Sequence, residues 1–203
     1  MGNKSERRLV VGITGASGSI YAIRFLEAAL EHYDRIYLTV SENAVTVIRS
    51  ELGIDSPAGK MDTCSLLGKY SDKVEVLDPH DLTAPPASGS VRHEGMVIVP
   101  CSMGTAGRIA SGMSNDLLTR AADVCLKERR PLILVVRETP LNLVHLRNLT
   151  TLAEAGAVVL PAAPGFYNSP KTIEDLVSFV VGRVMQQLGL TQELSPEWEG
   201  IRR

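Results

Sequence analysis

Two turns rich in glycine and hydroxyl groups carry the clearest chemistry of this 203-residue chain. The first is Gly12-Ile13-Thr14-Gly15-Ala16-Ser17-Gly18-Ser19. Glycines there let the backbone approach a phosphate, and the helix that follows offers amide donors and a positive dipole end. It is not a P-loop, because GxxxxGK[ST] is absent, and its spacing departs from the dinucleotide fingerprint. Ser41, not an acid, follows the second apolar run, and Glu42 comes one step late. The plainer reading is a tight turn that needs glycine. The second turn is Cys101-Ser102-Met103-Gly104-Thr105, whose plainest role is helix capping by Ser102.

Charged and proline-rich segments stand at comparable places. Arg137-Glu138 directly follows the apolar run Leu132–Val136, and Pro161-Ala162-Ala163-Pro164-Gly165-Phe166-Tyr167 follows another. Pro85-Pro86-Ala87-Ser88-Gly89-Ser90 reads from composition as a surface loop. Lys127-Glu128-Arg129-Arg130 closes a helical pattern, where cations complement the dipole and otherwise form a solvated face. The four histidines, His32, His80, His93 and His145, have no metal-ligand spacing, and no metal is expected. Cys64, Cys101 and Cys125 form no CxxC, so reduced thiols in a cytoplasm fit better than disulfides.

The elements that must hold these residues alternate. Strands are expected at Leu9–Thr14, Arg35–Val40, Lys73–Leu77, Met96–Pro100, Leu132–Val136 and Ala157–Leu160. Several are apolar on both faces, as buried parallel strands are. Helices are expected at Ile20–Leu30, Glu42–Leu52, Met61–Lys69, Gly104–Gly112, Asn115–Glu128, Asn142–Glu154 and Thr172–Leu188. The segment Asp78–Gly95 is too long for a routine connection. This is an α/β pattern: a Rossmann-like, doubly wound parallel sheet in one flavoprotein-type domain over residues 1–203, with a C-terminal tail from about 190. With strand order 3-2-1-4-5-6, the switch point falls between the first and fourth strands and places the two glycine turns face to face.

Composition narrows the partners. Hydrophobic residues are 44%, aromatics 4% and the net charge is -2, so no basic excess exists for nucleic acid. No apolar run approaches the roughly 20 residues that cross a bilayer.

Taken together, the stretches TGASGSIYAIRFL, APPASGS, VPCSMGTAGRIASG, RAADVCLKERRPLILVVRETP and LPAAPGFYNSP resemble the UbiX family of flavin prenyltransferases, once described as aromatic-acid decarboxylases. The resemblance runs from Gly12 to about Gly189. It implies metal-independent transfer of a dimethylallyl group from dimethylallyl phosphate to reduced FMN, with the prenylated FMN serving a UbiD-type decarboxylase. By the same resemblance Gly15, Ala16, Ser17, Ser41, Ser102, Met103, Gly104, Thr105 and Arg137 would hold FMN. Gly89, Arg120, Lys127, Tyr167 and Arg183 would hold the prenyl phosphate. Ser17, Glu51 and Glu138 would be catalytic, with Ser17 relaying to Glu138. Leu82 stands where some relatives place an aromatic in the prenyl pocket, a role left to Trp198. Relatives form homododecamers with sites shared between subunits. Two other functions fit parts of the pattern: an FMN-dependent cysteine-type decarboxylase, and a non-catalytic FMN-carrying subunit.

Overall fold

The computed structural model describes residues 6–55 and 61–196. Trp198 lies outside the described residues. Six parallel strands form one sheet in the order β3-β2-β1-β4-β5-β6. They are β1 (Arg8–Ile13), β2 (Arg35–Val40), β3 (Val74–Leu77), β4 (Met96–Cys101), β5 (Leu132–Val136) and β6 (Val158–Pro161). The helices are α1 (Ser19–Ala29), α2 (Glu42–Leu52), α3 (Thr63–Leu67), α4 (Met103–Ala110), α5 (Leu117–Lys127), α6 (Leu143–Glu154) and α7 (Ile173–Gln187).

The period-two alternation of a strand sorts the core into two layers. Leu9, Val11 and Ile13 of β1 face one side, where α1, α2 and α7 pack. Val10 of β1, with Met96 and Ile98 of β4, faces the other, against α4, α5 and α6. The β4 side chains are buried without exception, so this central strand reads as a continuous apolar run. Close packing under it is real: a Cβ added to Gly12 would lie 3.0 Å from Leu118 Cδ1.

The expected elements are present, and their ends differ by small shifts with local causes. Ser102 and Asp116 take the N-cap positions, so α4 begins at Met103 and α5 at Leu117. The long connection 78–95 contains a short 3-10 turn, Pro85–Ala87, which the composition did not announce. Its paired prolines fix φ near the helical value, and Ala84 and Ala87 pack on Leu117. In the tail, Gln192 and Ser195 exchange hydrogen bonds at 3.0 Å, and Gln192 covers Gly182 of α7. Among the described residues no helix is long and apolar enough to cross a membrane.

Candidate flavin cleft

The β1–β4 switch point is closed by one side chain. Thr14, at the end of β1 and 2% exposed, donates its hydroxyl to Pro100 O at 2.7 Å. The same oxygen accepts Ser102 N at 2.8 Å. The two glycine turns are therefore linked through Thr14. Ser102 then caps α4, its hydroxyl accepting Thr105 N at 3.2 Å, while Ser41 caps α2 by accepting Ala44 N at 3.3 Å. The capping reading of Ser102 is thus realised, and it is compatible with a ligand wall beside it.

A cleft of about 400 Å³ opens there, lined by Ser41, Asn43, Ser102, Gly104, Thr105 and Arg108 among others. That falls within the roughly 300–1,000 Å³ usual for small-molecule sites. The starts of α2 and α4 both border it, so two positive dipole ends face one space. A Cβ on Gly104 would meet no atom within 4 Å, so that glycine leaves the cleft open. Gly15 is different: its Cβ would stand 2.6 Å from Asn43 Cβ, so only glycine lets the first turn close on α2. A polar cradle with helix starts and unhindered backbone fits a phosphate-bearing cofactor such as FMN.

The start of α1 has a different arrangement. Its N-cap residue, Gly18, has φ 111° and no side chain, so capping comes from elsewhere. Glu51, near the end of α2, accepts Gly18 N at 3.0 Å and Ser19 N at 2.8 Å. The Ser17 hydroxyl donates to the same carboxylate. Burial by itself would raise the Glu51 carboxyl, but the donors from Ser17, Ser19 and Gly18 outweigh it and hold it below its ordinary value. Arg137 reaches this turn from β5, donating Nε to Ser17 O at 2.9 Å. Ser17 is therefore held between Glu51 and Arg137. The Glu138 carboxylate instead accepts the next amide, Thr139 N, at 3.1 Å. The structure brings Ser17 to Glu51 rather than to Glu138.

The residues expected at the prenyl phosphate fall into two groups. Around the proline turn, Arg120 Nε donates to Ala87 O at 3.0 Å, Arg130 Nη2 donates to Gly89 O at 2.6 Å, and Lys127 pairs with Glu128. Gly89 is pressed so closely on Lys127 that an added Cβ would lie 2.8 Å from its Nζ. In the other group, Tyr167 stacks edge-on against Phe179 at 5.7 Å, and Arg183 Nη1 donates to Gln186 at 2.6 Å. A cleft of about 320 Å³ lies between them. Arg120 and Lys127 belong to α5 and Arg183 to α7, helices on opposite faces of the sheet, while Tyr167 lies in the connection between β6 and α7, against Phe179 of α7. Leu82 is exposed.

Sequence reasoning missed five contributors. Thr14 stood inside the glycine run with nothing to mark its double hydrogen bond. Asn43 lies in the first turn of α2 and Arg108 in the last turn of α4, where period alone gives no direction. His80 borders the cleft and meets Glu42 at 3.1 Å, although no histidine spacing suggested it. Arg130 was visible only as part of a basic run.

A family model described as Flavoprotein matches residues 1–185. Flavin prenyltransferase UbiX of Alkalihalophilus pseudofirmus is 44% identical over 98% of this chain and 99% of its own. The protein of the same name from Pseudomonas aeruginosa is 43% identical, over 94% of this chain and 93% of its own. Among solved structures, AnUbiX (PadA1) in complex with FMN and dimethylallyl pyrophosphate superposes with TM-score 0.87, at 40% identity, covering 97% of this chain and 100% of that one. A dodecameric FMN-dependent UbiX-like decarboxylase from Escherichia coli O157:H7 gives TM-score 0.84 at 38% identity, covering 95% and 100%. An FMN-dependent cysteine decarboxylase, TvaF, shares the fold alone at 16% identity. The linked turns, the polar cleft and full-length identity above 40% converge: this chain belongs to the flavin prenyltransferase UbiX family.

Proposed function

We propose that this chain transfers a dimethylallyl group from dimethylallyl phosphate to reduced FMN, without a metal. The observation that carries the reading is the Glu51–Ser17–Arg137 arrangement at the start of α1, beside a polar cleft, in a chain of this family. FMN would be held by Gly15, Ala16, Ser17, Ser41, Ser102, Met103, Gly104, Thr105 and Arg137; bound and reduced, it supplies the nucleophilic ring positions that accept the prenyl group.

The chain's own groups have three tasks. Arg120 and Lys127, with Gly89 giving close access, and Arg183 with Tyr167 hold the departing phosphate, whose charge grows as the carbon–oxygen bond lengthens. Glu138 takes a proton or steadies positive charge on the prenyl carbons. Ser17 and Glu51 keep the α1 turn rigid and offer a proton path at its edge. Because the two phosphate-binding groups lie on opposite sheet faces, a complete site draws them from neighbouring subunits, and we place the chain in a homododecamer. The prenylated flavin passes to a UbiD-type decarboxylase in the cytoplasm.

The test is anaerobic incubation with reduced FMN and dimethylallyl phosphate, followed by mass spectrometry of the extracted flavin. A flavin heavier by one prenyl unit supports the reading. Unchanged flavin, with turnover of a cysteine-ended peptide, would assign the chain to the decarboxylases instead; unchanged flavin with tight FMN binding and no turnover would make it a carrier.

A further inference from the structure

Arg108 sits in the last turn of α4, on the wall of the flavin cleft. Its Nη1 pairs with Asp116 Oδ2 and lies 3.5 Å from Asn115 Oδ1. Its Nε and Nη2 have no acceptor among the described residues. Asp116 is itself fixed: Oδ1 accepts Thr119 N and the Thr119 hydroxyl, each at 2.7 Å, as the N-cap of α5. Burial opposes ionisation of Asp116, yet the donors from Thr119 and Arg108 hold its carboxyl below the ordinary value. The arginine side chain is 32% exposed and its partner 21% exposed, so the pair is half-buried. One nitrogen is anchored and the rest of the guanidinium fork stays available.

We propose that Arg108 is a phosphate-binding residue of the cleft, held in place by Asp116 and recognising the phosphate of FMN. The proposal rests on the flavin reading above. Three observations favour a phosphate over the flavin ring. A guanidinium fork matches phosphate oxygens in pairs. The starts of α2 and α4 border the same space and favour an anion. Around Arg108 the cleft is lined by the small polar side chains Ser41, Asn43, Ser102 and Thr105, which can donate to phosphate oxygens, with Pro79, His80, Glu42 and Asp116 completing the wall. Of the two carboxylates on the cleft wall, Glu42 meets His80 at 3.1 Å and Asp116 pairs with Arg108. Asp116 also carries a cost, because an unpaired carboxylate there would repel the phosphate. Arg108 therefore has two separable effects, cancelling Asp116 and meeting the ligand.

Flavin binding by fluorescence quenching separates them, with FMN and riboflavin as the two probes. Arg108→Met is expected to weaken FMN by about 10- to 100-fold, the scale of a lost charged hydrogen bond, and to leave riboflavin unchanged. Asp116→Asn keeps the helix cap and is expected to bind FMN at least as tightly as the wild type. The decisive protein is the double variant, Arg108→Met with Asp116→Asn. FMN binding that stays weak supports direct phosphate recognition. FMN binding restored to the wild-type level shows that Arg108 only neutralises Asp116 and overturns the proposal. Equal loss of FMN and riboflavin also overturns it, by making the effect structural. Thermal melts of the apo proteins check folding, and Arg108→Lys, which keeps charge without the fork, should fall between wild type and Arg108→Met. A wild-type chain that binds neither probe removes the flavin reading together with this proposal.

Discussion

Glu51 caps a helix that it does not belong to: its Oε2 accepts the N–H of Ser19 at 2.8 Å, joining the end of α2 to the start of α1. Gly18 at the N-cap has no side chain to do this, so the carboxylate supplies both the acceptor and the negative charge that a helix start favours. Glu51→Gln keeps an acceptor and removes the charge. The apo protein should lose roughly 0.5–1 kcal/mol, the scale of a charge at a helix end. The lowered carboxyl makes this stability fully present above the ordinary Glu range and lost as pH falls through the depressed value. Urea titrations at neutral pH and at pH values below the ordinary Glu value of 4.5 check it: the wild-type advantage over Glu51→Gln should persist down to that value and shrink below it, and an advantage independent of pH would contradict the charge account.

Thr14 should matter to both stability and cofactor. Thr14→Val removes the donor to Pro100 O and the acceptor of Ser102 N in a buried place. Leaving such groups unpaired costs about 1–3 kcal/mol. Because that hydroxyl links the two cleft turns, FMN affinity should fall as well. Thr14→Ser restores the hydroxyl and should recover most of both losses. Recovery of stability without recovery of FMN binding would detach Thr14 from the cleft.

Gly15 gives a steric prediction with a built-in rescue. Gly15→Ala places a methyl 2.6 Å from Asn43 Cβ, so α2 must move away from the first turn. Stability should fall by roughly 1–3 kcal/mol, as overpacking does. Asn43→Gly removes the opposing atom, so the double variant should be more stable than Gly15→Ala alone. Simple additivity of the two changes would show that the contact is not the cause.

His93 sets a pH limit on the fold. It is 7% exposed, its Nδ1 faces Gly95 O at 3.1 Å, and Nε2 has no partner among the described residues. Burial, helped by Arg130, lowers its pKa from 6.5 to about 4. The folded state thus resists a proton that the unfolded chain accepts. Stability is fully present above the ordinary value, falls as pH drops toward 4, and changes no further below that. The total is on the order of 3 kcal/mol. His93→Asn should flatten the unfolding free energy across this window, measured by denaturant titration, even if it lowers stability throughout.

The fold was legible because strand and helix periods are local. Leu9–Thr14 and Met96–Pro100 could be read as buried parallel strands from apolar runs alone, and their order placed the two glycine turns together. The cleft was only half legible. Ser102 announced itself as a cap, but the partner of Ser17 depends on how far α2 reaches, and Glu51 lies 32 residues from Ser19. Arg120 and Lys127 share α5, whereas Tyr167 and Arg183 belong to the opposite layer. No spacing rule carries that separation, because it is set by which strand face each connection covers.

Glu138 carries the mechanistic prediction. It follows β5 at the carboxyl edge of the sheet, where a doubly wound fold presents its ligand groups. Its neighbour Arg137 is spent on Ser17 O, so the two adjacent charges serve different partners rather than each other. Among the described residues the one donor to the Glu138 carboxylate is the amide of Thr139, and the side chain is exposed, so its other oxygen is left to solvent or ligand. That is the condition of a group able to take a proton from a bound ligand. Glu138→Gln preserves the shape and the acceptor for Thr139 N but abolishes the charge and the basicity. FMN affinity should therefore stay near wild type, while flavin prenylation falls by roughly 100-fold, the scale of a lost general base. Single-turnover mass spectrometry with saturating reduced FMN and dimethylallyl phosphate separates the two effects. Undiminished prenylation by Glu138→Gln would reduce the carboxylate to a local cap of the Thr139 amide and move the proton-accepting role to the Ser17–Glu51 side of the cleft.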